Sequence, residues 1–466
     1  MERADPAQTS SVLSSFLSAL AVAAAAAVTP VADLPAAIDS LVAQYKEDAA
    51  VPGVAVAVTR GSSVVHIAGH GRTPTGEAVS DRTILPVASV SKSMTARAVL
   101  TLVENGRIRL DDPVMTHLPE FVMADPRAAA ITVRMLLDQT SGMSDTTIKS
   151  FSGPEVRTLR EAVAAMRGSV LAAAPGARWE YHNPNFQVAA RLVEVVSGQP
   201  FAEYLSRNVF EPLDMKDSRS VNTADDLPPS ARGHVKVLGM PFALPETPGF
   251  GNGSGGVLST ARDMAAWLIA QNQRIPVETS SSYALGWFVG KTESGQPLIH
   301  HGGDLMTSTA YQALLPASGY GIAVMANTGT QYRDAQSIGE RLIALLEGRP
   351  VPPPNGPPVF NDAVLLLLAV PIAGLAVRGV RRARERRRSV LWLLVLLVPL
   401  VLVVSVHHVV GFLYRGRDVA WSQVFYLYPT FMATLVVTAL GCAAVFGARL
   451  AAMVRRARED APHAGH

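Results

Sequence analysis

Cysteine is nearly absent from this 466-residue chain; the one present, Cys442, falls inside an apolar run. A single thiol closes no internal disulfide, so a cystine-stapled scaffold is excluded, and cysteine usage is silent on redox compartment. An excess of one charge is lacking as well. The formal net charge is only +3, and the arginines behind the basic pI gather beside apolar segments near the C-terminus, which excludes a nucleic-acid partner. No internal repeat is present, so solenoids and propellers are excluded too. Lysine is the remaining scarcity: of 41 basic residues only about six are lysine.

That scarcity singles out Lys92, in the stretch "LPVASVSKSMTARAVLTLVENG". Arginine keeps its proton in proteins, whereas a buried lysine can lose it and act as a base. Ser89 precedes Lys92 by three residues, in the one Ser-x-x-Lys of the chain. On a helix that spacing sets both side chains on one face, and a helix N-terminus would favour an activated serine oxygen.

The hydrophobic content, 48%, is concentrated at the two ends. Residues 11–32, "SVLSSFLSALAVAAAAAVTPVA", hold an apolar run of roughly 17 residues, the length of a signal-peptide core or short anchor. After a proline-rich linker come three stretches long enough to cross a bilayer, at about 359–377, 390–412 and 421–447. Arginine-rich "RGVRRARERRR" follows the first and "RLAAMVRRARED" follows the last, so both are expected in the cytoplasm and the region before residue 359 outside it. His407 and His408 read as interfacial and not as metal ligands. The expected division is residues 1–29 as signal peptide or anchor, 30–347 as an extracytoplasmic domain, 348–358 as linker, and 359–466 as three transmembrane helices.

Within residues 30–347, "VPGVAVAVTRGSSVVHIAGHG" reads as a β-hairpin turning at Arg60-Gly61, and "PLIHHGG", "TAYQALLP" and "GYGIAVMAN" read as short strands near the other end. A closing helix follows in "YRDAQSIGERLIALLEG", and the middle is alanine-rich and helical. Strands at both ends with helices between predict an α/β (α+β) fold: one antiparallel sheet built from both termini, flanked by helices and carrying a helical subdomain.

Two further groups follow Ser89 in order. Tyr181-His182-Asn183 lies in "PGARWEYHNPNFQ", just before a helix, and "LIHHGGDL" sets a histidine before glycines at a strand edge; the spacings are about 90 and about 120 residues. With "ITVRMLLDQTSGM", "FEPLDMKDS", "GSGGVLSTARDMAAWL" and "YALGWFVG", these motifs make residues 36–345 resemble the class C β-lactamase-like serine hydrolases, which include penicillin-binding proteins, D-alanyl-D-alanine carboxypeptidases, esterases and D-aminopeptidases.

The resemblance implies Ser89 as nucleophile, Lys92 and Tyr181 as proton-transfer partners, and Asn183 holding the lysine and the substrate amide. It implies an oxyanion hole from the backbone N–H groups of Ser89 and Asp304, with His301 and Gly303 as the third motif and His300 as the alternative. No cofactor or metal is implied. Two departures, Gln139 for a histidine and Met306-Thr307 for Pro-Gly, are read as altered loop packing away from the serine. Trp179, Trp267 and Trp287 are expected in core or wall, Gly255 and Gly256 at a close backbone approach, and His182 as a variable filler.

The layout of an exported hydrolase followed by three spans resembles membrane-anchored prodrug-activating peptidases. It implies a small peptide-like or D-amino-acid-containing substrate and the lipid bilayer as partners. The alternatives are a D-Ala-D-Ala carboxypeptidase, β-lactamase or esterase and, from another class, a catalytically silent cell-wall or penicillin receptor. The arginine placement generates a topological prediction. A reporter active only outside the cytoplasm works when fused after Gly348 and fails when fused within residues 381–388; the reverse pattern inverts the assignment.

Overall fold

The computed structural model describes residues 33–274, 281–353, 359–384, 391–414 and 416–459. The N-terminal apolar run lies outside these residues. Among them the main sheet has seven strands: β1 (Gly53–Arg60), β2 (Ser63–Gly71), β3 (Tyr283–Ala284), β4 (Trp287–Lys291), β5 (Pro297–Asp304), β6 (Thr309–Leu315) and β7 (Tyr320–Ala326). Their order is β2-β1-β7-β6-β5-β4-β3, all antiparallel, so the two ends of the domain meet where β1 pairs with β7, with Val56 opposite Val324. The strands expected at "PLIHHGG", "TAYQALLP" and "GYGIAVMAN" are β5, β6 and β7. The short β3 and β4 occupy "YALGWFVG", whose single central glycine signalled a turn too weakly for the strands to be assigned from sequence.

Alternation along β1 explains how both faces of the sheet are covered. Val54, Val56 and Val58 face one way, packed with Ile38 and Val42 of α1 (Leu34–Asp48) and Ile338 and Leu342 of the closing helix, while Ala55 and Ala57 face the other core. That second core takes in α2 (Ser91–Glu104), α3 (Pro184–Ser197) and α4 (Ala261–Asn272). The closing helix α5 (Asp334–Leu346) is tied down by a buried ion pair. Lys236 Nζ lies 2.9 Å from Asp334 Oδ2, both side chains being 1% exposed, and also donates to the Ala49 carbonyl at 2.6 Å.

The C-terminal part consists of α6 (Val359–Arg381), a short turn of helix at Leu391–Val395, α7 (Val398–Leu413), α8 (Trp421–Leu427) and α9 (Pro429–Glu459). Among the described residues three helices are long and apolar enough to cross a membrane: Val359–Arg381, Leu393–Leu413 and Pro429–Arg456. The third differs from the expected 421–447. Pro429 disfavours helical backbone at the residue before it, and Tyr428 sits at φ −139°, ψ 61°, so α8 is a separate helix and the apolar helix starts at Pro429.

The two parts touch. Asp362 on α6 accepts from Leu238 N at 2.8 Å and from Thr430 Oγ1 of α9 at 2.7 Å, and Tyr426 on α8 donates to the Pro245 carbonyl at 2.9 Å. Leu238 belongs to the turn of a hairpin formed by Gly233–Val237 and Met240–Leu244.

Removing one partner of the Lys236–Asp334 pair leaves a buried charge alone, at a cost of about 3–5 kcal/mol, whereas replacing both by apolar groups is often neutral. Lys236→Met is therefore expected to lower the thermal midpoint strongly, and Lys236→Met/Asp334→Leu to recover only part of it, because the Tyr45 and Thr328 hydroxyls then lose their acceptor. Equal midpoints for wild type and single variant would contradict this role for the pair.

Candidate active site

Ser89 lies in a 3-10 turn, Ala88–Val90, that runs directly into α2, one step before the α-helix proper. Ala88 has φ 48°, a left-handed conformation rare outside glycine, and the Ser91 hydroxyl donates to its carbonyl at 2.6 Å. Three residues on, Lys92 is fully buried, with Nζ 3.0 Å from Ser89 Oγ and donating to the Ser254 carbonyl at 2.7 Å. Burial, followed by the charge of Arg417, pushes the Lys92 ammonium well below its ordinary range. An amine whose protonated form is disfavoured, within reach of a hydroxyl, has the placement a general base needs.

Tyr181 stands on the other side, its ring centroid 4.8 Å from Lys92 Nζ. Burial pushes its phenol up, against the pull of the Ser89 hydroxyl and of Arg417. Asn183 caps the start of α3 but does not hold Lys92. The Ser254 carbonyl takes that place, and Asn183 Oδ1 is buried without a hydrogen-bond partner beside the cavity next to Ser89. The signal for Ser254 was present in "GSGGVLST", yet a backbone carbonyl leaves no residue-type trace in sequence.

The strand β5 decides between the two histidines. Its alternation puts His301 and Gly303 on the face toward Ser89 and His300 and Gly302 toward α5: a Cβ on Gly303 would meet Val87 O at 2.3 Å and Ser89 N at 3.2 Å, whereas one on Gly302 would be nearest to Gln336. Only glycine at 303 lets the strand approach the serine so closely. His301, 1% exposed, has Nδ1 2.6 Å from its neighbour's carbonyl, that of Gly302, so Nδ1 carries the proton and Nε2 accepts from the Tyr283 hydroxyl at 3.2 Å. Burial above all pushes the imidazole down to about 3, so it is neutral.

Two expectations need correction. Gln139 is not remote loop packing: its Oε1 accepts from His182 N at 3.1 Å and Asn185 Nδ2 at 2.5 Å, pinning the second motif. Nor is His182 a filler, since it is fully buried with Nδ1 2.7 Å from Asp145 Oδ1. Met306 and Thr307 donate backbone N–H to Glu246 at 3.1 and 2.9 Å, and Met306 forms cavity wall. Trp267 and Trp287 are core, while Trp179, 44% exposed, packs its ring 6.1 Å from those of Tyr283 and Phe288. A Cβ on Gly256 would meet Val221 O at 2.2 Å, as a close backbone approach demands; Gly255 is only in ordinary contact. Among the described residues no three His, Cys, Asp or Glu side chains gather as metal ligands would.

A serine beside a buried lysine, a tyrosine over both and a glycine-edged strand at the serine backbone define an acyl-transfer hydrolase site on an antiparallel sheet. The Beta-lactamase family profile matches residues 38–346, and the chain belongs to that family of serine hydrolases. Protein flp of Staphylococcus aureus (strain MRSA252) is 27% identical in a 323-residue alignment that covers 63% of this chain and 63% of that protein. The chain thus spans about 63% of the length of the curated relatives it matches first. Among solved structures, an octameric penicillin-binding protein homologue from Pyrococcus abyssi aligns with TM-score 0.57 at 24% identity, covering 71% of this chain and 81% of that one. D-amino acid amidase from Ochrobactrum anthropi SV3 complexed with L-phenylalanine aligns with TM-score 0.57 at 22% identity, covering 68% and 99%. These last two likenesses concern the fold.

The state of His301 sets a pH dependence. Its folded value, about 3, lies below the reference of 6.5, so between the two the unfolded chain binds more protons and stability falls as pH falls. The stability difference between wild type and His301→Gln is expected to shrink on acidification through that window, by up to about 1.4 kcal/mol per pH unit. Denaturant unfolding from pH 7 to pH 4 measures it, and a difference that stays constant refutes the assignment.

Proposed function

We propose that this chain is a membrane-anchored, extracytoplasmic serine peptidase or amidase that works through an acyl-enzyme on Ser89. The observation that carries the reading is the buried Lys92 amine 3.0 Å from Ser89 Oγ. Lys92 takes the serine proton as Oγ attacks the substrate carbonyl, and the oxyanion is held by the backbone N–H groups of Ser89 and Asp304. Tyr181, whose phenol burial keeps protonated, delivers a proton to the departing amine, and Lys92 supports its return. Water then attacks the ester and releases Ser89. Asn183 Oδ1, lacking a partner of its own, is available to accept from the substrate amide N–H.

In this reading residues 30–347 form the catalytic unit, 348–358 the linker, and the apolar helices cross the cell membrane as a multi-pass anchor. The arginine-rich segments lie on the cytoplasmic side. A neutral His301 offers a substrate carboxylate no fixed positive charge, which favours internal amide or ester bonds over β-lactams and C-terminal D-alanine. The Ochrobactrum anthropi protein is named a D-amino acid amidase, and that supports an acyl-D-amino-acid substrate, such as a prodrug group on a peptide.

A fluorophosphonate probe is expected to label the full chain and to fail on Ser89→Ala, with Lys92→Ala and Tyr181→Phe each slower by about 100-fold or more. A cephalosporin, a D-Ala-D-Ala peptide, an acyl-D-amino-acid amide and a short-chain ester, assayed side by side, locate the substrate class. Turnover confined to the first two would return the protein to the β-lactamase or carboxypeptidase group.

A further inference from the structure

The segment between α7 and α8 lies across the hydrolytic centre. The cavity lined by Ser89, Tyr181 and His301 is lined as well by Arg417, Asp418 and Gln423. Arg417 makes three contacts there. Its Nε is 2.9 Å from Asp145 Oδ2, an Nη donates to the Tyr181 carbonyl at 3.2 Å, and the guanidinium carbon lies 5.3 Å from the Tyr181 ring centroid.

These contacts converge on the second motif. Asp145, 3% exposed, is the same carboxylate that holds His182 Nδ1, so Arg417 and Asp145 together grip two consecutive residues of Tyr181-His182-Asn183. Asp418 secures the segment, accepting from Phe151 N at 2.6 Å, Ser152 N at 2.8 Å and Ser152 Oγ at 2.5 Å, while its own N–H donates to Asp145 Oδ2 at 3.3 Å. Phe151 borders the same cavity as Ser89. A surface ion pair would not need so many buried partners.

We infer that Arg417, carried between the second and third apolar helices, is a positioning residue of the hydrolytic centre: it fixes Tyr181 and sets a permanent positive charge beside the Ser89–Lys92 pair. The C-terminal helices therefore do more than anchor. They contribute residues to the cavity that Ser89 lines.

The inference rests on the proposed roles of Ser89 and Lys92. The groups facing Lys92 are few: Ser89 on its own turn, the rings of Tyr181 and Phe186, the Ser254 carbonyl, neutral His301 on β5, and Arg417. Asp145 and Asp304 act on Tyr181 from behind. Among these neighbours the lasting cation is Arg417. Like charge disfavours the Lys92 ammonium and keeps the amine free at lower pH. Taking Arg417 away lets Lys92 hold its proton to higher pH, so the acid limb of serine acylation moves upward.

The test uses the full chain in detergent and the rate of fluorophosphonate labelling against pH, with a melting curve for each variant. Wild type that does not label sinks the proposed function itself, before any variant is compared. Given labelling, Arg417→Gln is expected to slow it at neutral pH by roughly 10-fold to 100-fold, as a small displacement of a proton-transfer group does, and to shift the acid limb to higher pH. Arg417→Lys, which keeps the charge, is expected to hold the limb near its wild-type position and recover part of the rate. Two outcomes overturn the inference: a Gln variant that coincides with wild type, or Gln and Lys variants that lose rate equally with the limb unmoved, as a purely structural contact would give.

Discussion

A lysine amine with no access to water constrains everything around it. Burying an ammonium is costly, so the burial of Lys92 disfavours its protonated form, and the amine lies within reach of the neighbouring serine hydroxyl. The surroundings of Lys92 supply the Ser254 carbonyl, aromatic rings and the Ser89 hydroxyl, none of them an anion that would offset the cost of burying the ammonium. The left-handed Ala88 and the glycine-rich 253–256 segment are consequences of that packing, since both bring backbone where a side chain would intrude. Arginine, which outnumbers lysine in this chain, could not take the place.

The sheet supplies the second constraint, alternation. A strand offers one face to the serine and the other to α5, so a shift of one residue along β5 would exchange His301 for His300 and Gly303 for Gly302. Register is held by pairing with β6 along most of β5, from Ile299 opposite Leu314 to Asp304 opposite Thr309, and by the Glu246 carboxylate that receives the backbone just beyond. The Ser89 turn and this strand edge are more than 200 residues apart in sequence, and they meet because β1 and β7, from opposite ends of the domain, lie side by side. The helical middle then drops the Tyr181 loop over the pair.

The apolar C-terminal helices join this arrangement through polar residues at their ends. Asp362 fastens α6 and α9 to the 238 turn, and Asp418 fastens the segment before α8 to residues 151–152. Buried carboxylates of this kind orient one body against another because each leaves several hydrogen bonds unmade if the contact opens. The proline at 429 separates α8 from the long apolar helix, which frees α8 to lie against the hydrolase part while α9 runs on.

By itself the sequence determined the fold family, the antiparallel sheet from both termini, the serine and lysine pair, the tyrosine and the three apolar helices. The strands and apolar helices are written in periodicity and apolar length, and Ser89 and Lys92 in spacing and a rare residue type, whereas the family and Tyr181 came from the resemblance that several ordered motifs carry. Tertiary structure alone decided which histidine faces the serine, that Ser254 and not Asn183 holds the lysine, and that Gln139 and His182 brace the second motif. It also decided that Arg417 and Asp418, which lie between the second and third expected spans, line the cavity beside Ser89. Those outcomes depend on backbone carbonyls, strand faces and contacts between residues up to 273 positions apart, and no local pattern records which distant group a buried polar atom will meet.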